Sequence, residues 1–71
     1  MPFEIYPNPS SGIYQVKGIG TVTVFNALGE LILTQNILGN SIIDLRTQAN
    51  GIYSLQLQTE KGTLISKLIK E

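Results

Sequence analysis

Alternation of apolar and polar side chains with a period of two runs along this chain, and it constrains the fold more than any other feature. In segment 51–58, Tyr53, Leu55 and Leu57 occupy one parity, and Ser54, Gln56 and Gln58 lie on the other. Successive side chains of a β-strand point to opposite faces, so this segment predicts a strand with one buried and one solvated face. Six further strands are predicted from the same signal, at 3–6, 13–16, 21–25, 30–35, 41–45 and 63–70. The last alternates less cleanly, which suggests burial on both faces, a bulge or an edge position.

Turn residues separate these segments. The run 26–29 predicts a type I turn in which Gly29 takes the left-handed bulge position. Gly39-Asn40 and the run 59–62 are further hairpin signals, and Gly18-Ile19-Gly20 is interpreted as a turn. A helix over 25–32 competes on spacing, but Gly29 inside it would cost about 1 kcal/mol relative to Ala. Seven short strands with regular turns predict an all-β fold, a small antiparallel β-sandwich of about seven strands, immunoglobulin-like.

The length and composition restrict how such a fold is stabilised. The chain has 71 residues, with no Cys and no His, so it has neither disulfides nor the usual ligands of a structural zinc. We expect one domain over 1–71, stabilised by apolar burial alone, with a net stability of about 3–5 kcal/mol. Residues 1–4 are expected to be a linker remnant or a start added for expression. No signal peptide and no membrane-spanning run is visible.

Charge and residue types argue against catalysis and nucleic-acid binding. The formal net charge is zero and no basic stripe is visible, so no nucleic-acid partner is expected. Without His or Cys the usual nucleophilic triads and histidine metal sites are excluded, and the carboxylates are spaced without a common site. We therefore predict no catalytic, cofactor-binding or metal-binding residues, and no enzyme. Because the net charge is zero, two copies do not repel each other, and weak self-association through an edge strand is compatible with the sequence.

Several motifs in fixed order resemble one family, the type A C-terminal sorting domains of the Bacteroidetes type IX secretion system. The start Tyr6-Pro7-Asn8-Pro9 with Gly12 resembles the family's opening element. The segment 22–31, in which Asn26 and Gly29 bracket a turn, is similar to its central hairpin. Asp44 followed by Gly51 and Tyr53 matches its next pair, and the terminal segment contains Gly62, Lys67, Leu68, Ile69 and Lys70.

The resemblance implies a role. Such a domain follows a larger cargo, to which it is covalently linked, and outer-membrane components of the secretion machinery recognise it in the periplasm. The cargo then crosses the outer membrane to the cell surface or the medium, and a sortase-like surface peptidase commonly removes the domain. We expect recognition to involve Gly62, Lys67, Leu68, Ile69 and Lys70, with the last strand offering an edge to a receptor. The other motif residues are expected to serve the fold.

Two other functions fit the sequence. An adhesion or carbohydrate-binding sandwich would need aromatic side chains on one surface, and the chain has only five aromatic residues. A purely structural module of an extracellular protein would need no recognition surface. Export of cargo after deletion of the domain would favour the structural module, and polysaccharide binding would favour the adhesion domain.

Overall fold

Five antiparallel strands make up the fold. The structure is a computed structural model that describes residues 4–7 and 10–71. The strands are β1 (Glu4–Tyr6), β2 (Ile13–Asn26), β3 (Leu31–Asp44), β4 (Gly51–Thr59) and β5 (Gly62–Lys70). No helix occurs in the described residues, which confirms the all-β class. Nor, among them, is there any helix with the length and apolar character needed to cross a bilayer.

Two of the predicted strand pairs are single long strands, so the predicted number of seven strands is wrong and the described residues form five. Segments 13–16 and 21–25 are the two halves of β2, and 30–35 and 41–45 fall largely on the two halves of β3. Gly18 pairs with Gly39 across this hairpin, so neither glycine ends a strand. Glycine marks both turns and the bends of continuous strands, and the one-dimensional pattern does not separate the two.

One edge of β2 pairs with two different strands along its length, and this change of partner makes the sheet curl. β3 pairs with β2 along almost its whole length on one edge. On the other edge β1 pairs with residues 15–17 and β4 with residues 21–26, so the strand order is β1-β2-β4-β5 with β3 off this path. The result is one curled sheet whose two halves cover the same core.

Gly20 lies where the partner of β2 changes. A Cβ added there would lie 2.2 Å from the carbonyl oxygen of Gln58, and the backbone has φ +148°. Any side chain would therefore push β4 away from β2. Gly39, on the opposing strand, has φ +114° and open space around its missing Cβ.

The core consists of the residues on the inner parity of each strand. Eleven apolar side chains are buried in one cluster: Tyr14, Val16, Val22, Val24, Ile37, Ile43, Leu45, Tyr53, Leu55, Leu57 and Leu68. The alternation in segment 51–58 correctly predicted that Tyr53, Leu55 and Leu57 belong to this core. The Tyr14 hydroxyl donates to the carbonyl of Ile69 at 2.6 Å, which joins the first half of β2 to the end of β5. Burial raises the pKa of this hydroxyl, so it stays a donor.

Two predicted hairpin turns are confirmed. Gly29 has φ +83°, and its N–H donates to the carbonyl of Asn26 at 3.0 Å. The Asn26 side chain accepts the N–H groups of Leu28 and Glu30, both at 2.9 Å, so the turn is stabilised locally and no helix forms. Between β4 and β5, Thr59 pairs with Gly62 across a two-residue loop. The predicted first strand extended to Phe3, which lies outside the described residues.

The close contact at Gly20 gives the first prediction. Gly20→Ala should cost about 3 kcal/mol or more, because it adds a backbone clash to an unfavourable φ. Gly29→Val, at a left-handed residue with open space, should cost about 1–3 kcal/mol. Urea unfolding followed by circular dichroism measures both. Equal losses in the two variants would contradict the proposed role of Gly20 in the curl.

Candidate recognition surface on the last two strands

Ser10, which follows the opening motif in the chain, lies beside the end of β5. Tyr6 is half-exposed, and Asn8 and Pro9 lie outside the described residues. Ser10 is buried; its N–H donates to the carbonyl of Ile69 at 3.0 Å, and its carbonyl accepts from Glu71 N–H at 2.9 Å. These two bonds and the Ser10–Lys70 bridge hold Ser10 against the C-terminal end of β5.

Gly12 permits a second close approach. A Cβ there would lie 3.0 Å from Arg46, and the backbone has φ +132°. The Gly12 carbonyl accepts the N–H of Leu45 at 2.7 Å, which continues the β2–β3 pairing beyond the strand ends. A structural role fits this motif residue.

Two of the expected recognition residues lie inside the fold. Leu68 is fully buried, and Lys70 is only 8% exposed. The register pairs them with Tyr53 and Gly51 of β4, on the inner parity. The Lys70 ammonium donates to the Asn50 side-chain oxygen at 2.8 Å, so the long stem is covered while the charge keeps a polar partner. Neither side chain is presented to a receptor in this fold.

The other parity of β5 faces outward. Lys67 is exposed and lies opposite Ser54, while Ile65 lies opposite Gln56 and is 68% exposed. Ile69 is partly buried and pairs with Ile52, which is 50% exposed. We call this surface the outer β4–β5 face; it consists of Ile52, Ser54, Gln56, Ile65, Lys67 and Ile69. Gly62 lies at its rim, in the β4–β5 turn.

The sequence did not indicate Ile52 as a candidate recognition residue. It belongs to the outer β4–β5 face only through its pairing with Ile69, seventeen positions later in the chain. The outward parity of segment 51–58 could have suggested exposure, but the cross-strand neighbour is a property of the register. Ile65 and Ile69 share one parity of β5, and both lie on this face.

The remaining motif residues hold local structure. Asn26 and Gly29 form the β2–β3 turn, and Gly51 begins β4. Tyr53 is buried and its hydroxyl donates to the carbonyl of Ala49. Each of these contacts joins neighbours in the chain, as expected of residues that serve the fold.

Asp44 ends β3 in a two-point ion pair. Its carboxylate accepts from Arg46 Nε at 3.0 Å and Nη2 at 2.8 Å, and also from the backbone N–H of Arg46 at 3.0 Å. These side-chain and backbone hydrogen bonds lower the pKa of the Asp44 carboxyl to about 2. Both side chains are well exposed, so the pair serves mainly to define the chain reversal after β3.

An open apolar groove of about 610 Å³ lies between Gly18–Gly20 and the β4–β5 hairpin, over residues 57–64. Leu57 and Leu64 line it, and Glu60 and Lys61 are its charged side chains. Within residues 4–7 and 10–71, no three acidic residues cluster as they would around a metal ion.

Comparison with known families identifies the class of protein. Residues 4–71 match the family described as the secretion system C-terminal sorting domain. The chain belongs to this family, and it is a C-terminal sorting signal for type IX secretion. A search of curated proteins returns no match.

Membership of this family supports three general statements about function. A domain of this family is not normally an enzyme. It implies interaction with the type IX secretion machinery and with a cargo protein. It also implies export of that cargo to the cell surface or into the medium.

The Asp44–Arg46 pair gives the second prediction. The folded pKa of about 2 lies below the ordinary value of about 4. The pair therefore stabilises the fold above about pH 4, and its contribution is lost as the pH falls through about 2. Asp44→Asn should be less stable than wild type at pH 7, and the difference should shrink towards zero near pH 2. Urea unfolding at a series of pH values measures this; a constant difference over that range would contradict the assignment.

Proposed function

We propose that outer-membrane components of the type IX secretion machinery recognise the folded domain through the outer β4–β5 face. The observation that carries this is the split of the terminal segment by parity. Leu68 and Lys70 pack inside, while Ile65 and Lys67 face outward with Ile52 beside them. A surface of exposed isoleucines around one lysine offers apolar contact together with a charge that guides encounter.

The docked N-terminal loop supports the same surface. Ser10 bonds to the last residues of β5, and Tyr14 donates to Ile69 from below. These contacts hold the end of the chain in the sheet, so the outward residues keep a fixed spacing. A rigid surface costs less conformational entropy when a receptor binds it.

The domain's later fate is part of the proposal. A covalently linked cargo precedes β1, the whole protein passes through the periplasm and across the outer membrane, and a sortase-like peptidase then cuts on the N-terminal side of the domain. Residues 1–71 act together as a single sorting domain. Its residues act by being recognised, with no catalytic, cofactor or metal role of their own.

Export of a reporter tests the proposed function. Residues 1–71 are fused behind a fluorescent protein that carries a periplasmic export signal, in a host with or without the type IX machinery. We expect the reporter at the surface or in the medium only when the machinery is present. A reporter retained in the periplasm of the complete host would overturn the proposal, and mass spectrometry of the released protein locates any cut.

The two lysines give the third prediction. Lys67→Ala should lower export several-fold because it removes an outward charge. It should leave the free energy of unfolding nearly unchanged, because the polar contacts of an exposed side chain contribute little to stability. Lys70→Ala should cost about 1–2 kcal/mol of stability, because it removes a charged hydrogen bond and a packed stem. Its export should fall only as far as its folded fraction does. Normal export of a folded Lys67→Ala reporter would show that the charge takes no part in recognition.

A further inference from the structure

Among the described residues, three strands (β1, β3 and β5) have an outer side that pairs with no other strand, and β1 is only three residues long. The two long edges are protected differently. On β5 the Ser10 loop docks at the C-terminal end, and lysines stand in or next to the strand at Lys61, Lys67 and Lys70. β3 forms the other edge, and no strand of the described residues pairs with its outer side. Natural sheets commonly protect an edge with charge, proline or a covering loop. β5 has such protection.

The outer side of β3 lacks the charged residues and prolines that commonly protect a sheet edge. Residues 31–43 contain no charged residue and no proline. Leu31 is 61% exposed and Leu38 89% exposed on this stretch. A long uncharged edge of this kind is a template for a further strand.

The hydrogen-bond phase shows which residues are available. The bond from Leu45 N–H to the Gly12 carbonyl sets odd-numbered residues of β3 against β2. Even-numbered residues, Thr34 and Asn36 among them, therefore direct their backbone N–H and C=O groups outward. Their side chains lie on the polar outer face, where Thr34 bonds Thr23 and Asn36 bonds Thr21.

A bend limits the length of strand that can be added. The Gln35 side chain donates to the carbonyl of Ile42 at 3.5 Å. In a straight strand these residues would be about 23 Å apart. β3 therefore turns sharply near Gly39. At its other end the β2–β3 register shifts and skips Ile32, so the hydrogen-bond phase given above holds from Leu33 onward. A straight partner strand fits along residues 33–37.

We propose that residues 33–37 of β3 pair antiparallel with the same residues of a second copy of the domain, about a two-fold axis at Gln35. An uncharged strand meets no like charge when it meets itself, and the chain has zero formal net charge. The two-fold pairing extends one sheet across both molecules, in the order β5-β4-β2-β3 and then the reverse. The two β3 edges are buried together, and the edges left outside are the protected β5 and the three-residue β1, so assembly stops at two.

Paired charge substitutions test this directly. Sedimentation velocity of the 71-residue chain over a concentration series should show a weak dimer, with Kd roughly between 10 μM and 1 mM. In an antiparallel pairing Thr34 lies opposite Asn36 of the second copy. Thr34→Lys/Asn36→Lys should therefore weaken the dimer about tenfold or more, and so should the corresponding Glu pair. An equimolar mixture of the two double variants should restore it, because opposite charges then face each other.

Matched controls separate this interface from others. Ile65→Lys adds a charge on the β5 edge and should leave the Kd unchanged, and circular dichroism checks that each variant is folded. Dimers that persist in the folded Lys pair, or no recovery on mixing, would overturn the proposal. A chain that stays monomeric at millimolar concentration overturns it too. If the folded Lys pair also blocks export in that case, the edge belongs to a strand of the secretion machinery.

Discussion

The structure depends on one constraint: β2 must serve both halves of the sheet. β1 and β4 share one edge of this strand, and β3 covers the other. The change of partner is possible because Gly20 lets the Gln58 carbonyl approach where any Cβ would collide. The resulting curl brings Tyr14 beneath Ile69 and places the Ser10 loop against the end of β5. A chain with neither Cys nor His thus closes its sheet with hydrogen bonds to the backbone of its last residues.

The sequence predicted those features that depend on near neighbours. Parity assigned Tyr53, Leu55 and Leu57 to the core, and local turn chemistry at Asn26 and Gly29 predicted the β2–β3 turn. The division of β2 and β3 into shorter strands was wrong because Gly18 and Gly39 mark a bend in paired strands. The sequence also could not predict which residues of distant segments pair with each other across the sheet. The burial of Lys70 against Asn50 and the pairing of Ile52 with Ile69 both depend on how β4 and β5 align.

The family motifs divide into two physical roles. The opening loop, the Asn26 turn and the Asp44 ion pair shape and close the sheet, and Leu68 and Lys70 anchor its last strand from inside. What remains outward on that strand is a short series that includes Ile65 and Lys67, backed by Ile52 on β4. A terminal segment that looks like one linear signal is therefore half anchor and half surface. In the proposed function, this division lets the end of the chain stabilise the sheet from inside and present a surface to a receptor at the same time.

The central claim is that the machinery recognises the folded surface and not the linear terminal segment. Leu55 of β4 is fully buried, whereas Gln15 of β2 is exposed and lies outside the outer β4–β5 face. Export of the reporter should be lost for Leu55→Asp, which unfolds the domain, and kept for Gln15→Asp, which leaves it folded. Both variants keep every residue of β5. Surface delivery of the unfolded Leu55→Asp reporter at the wild-type level would contradict the account.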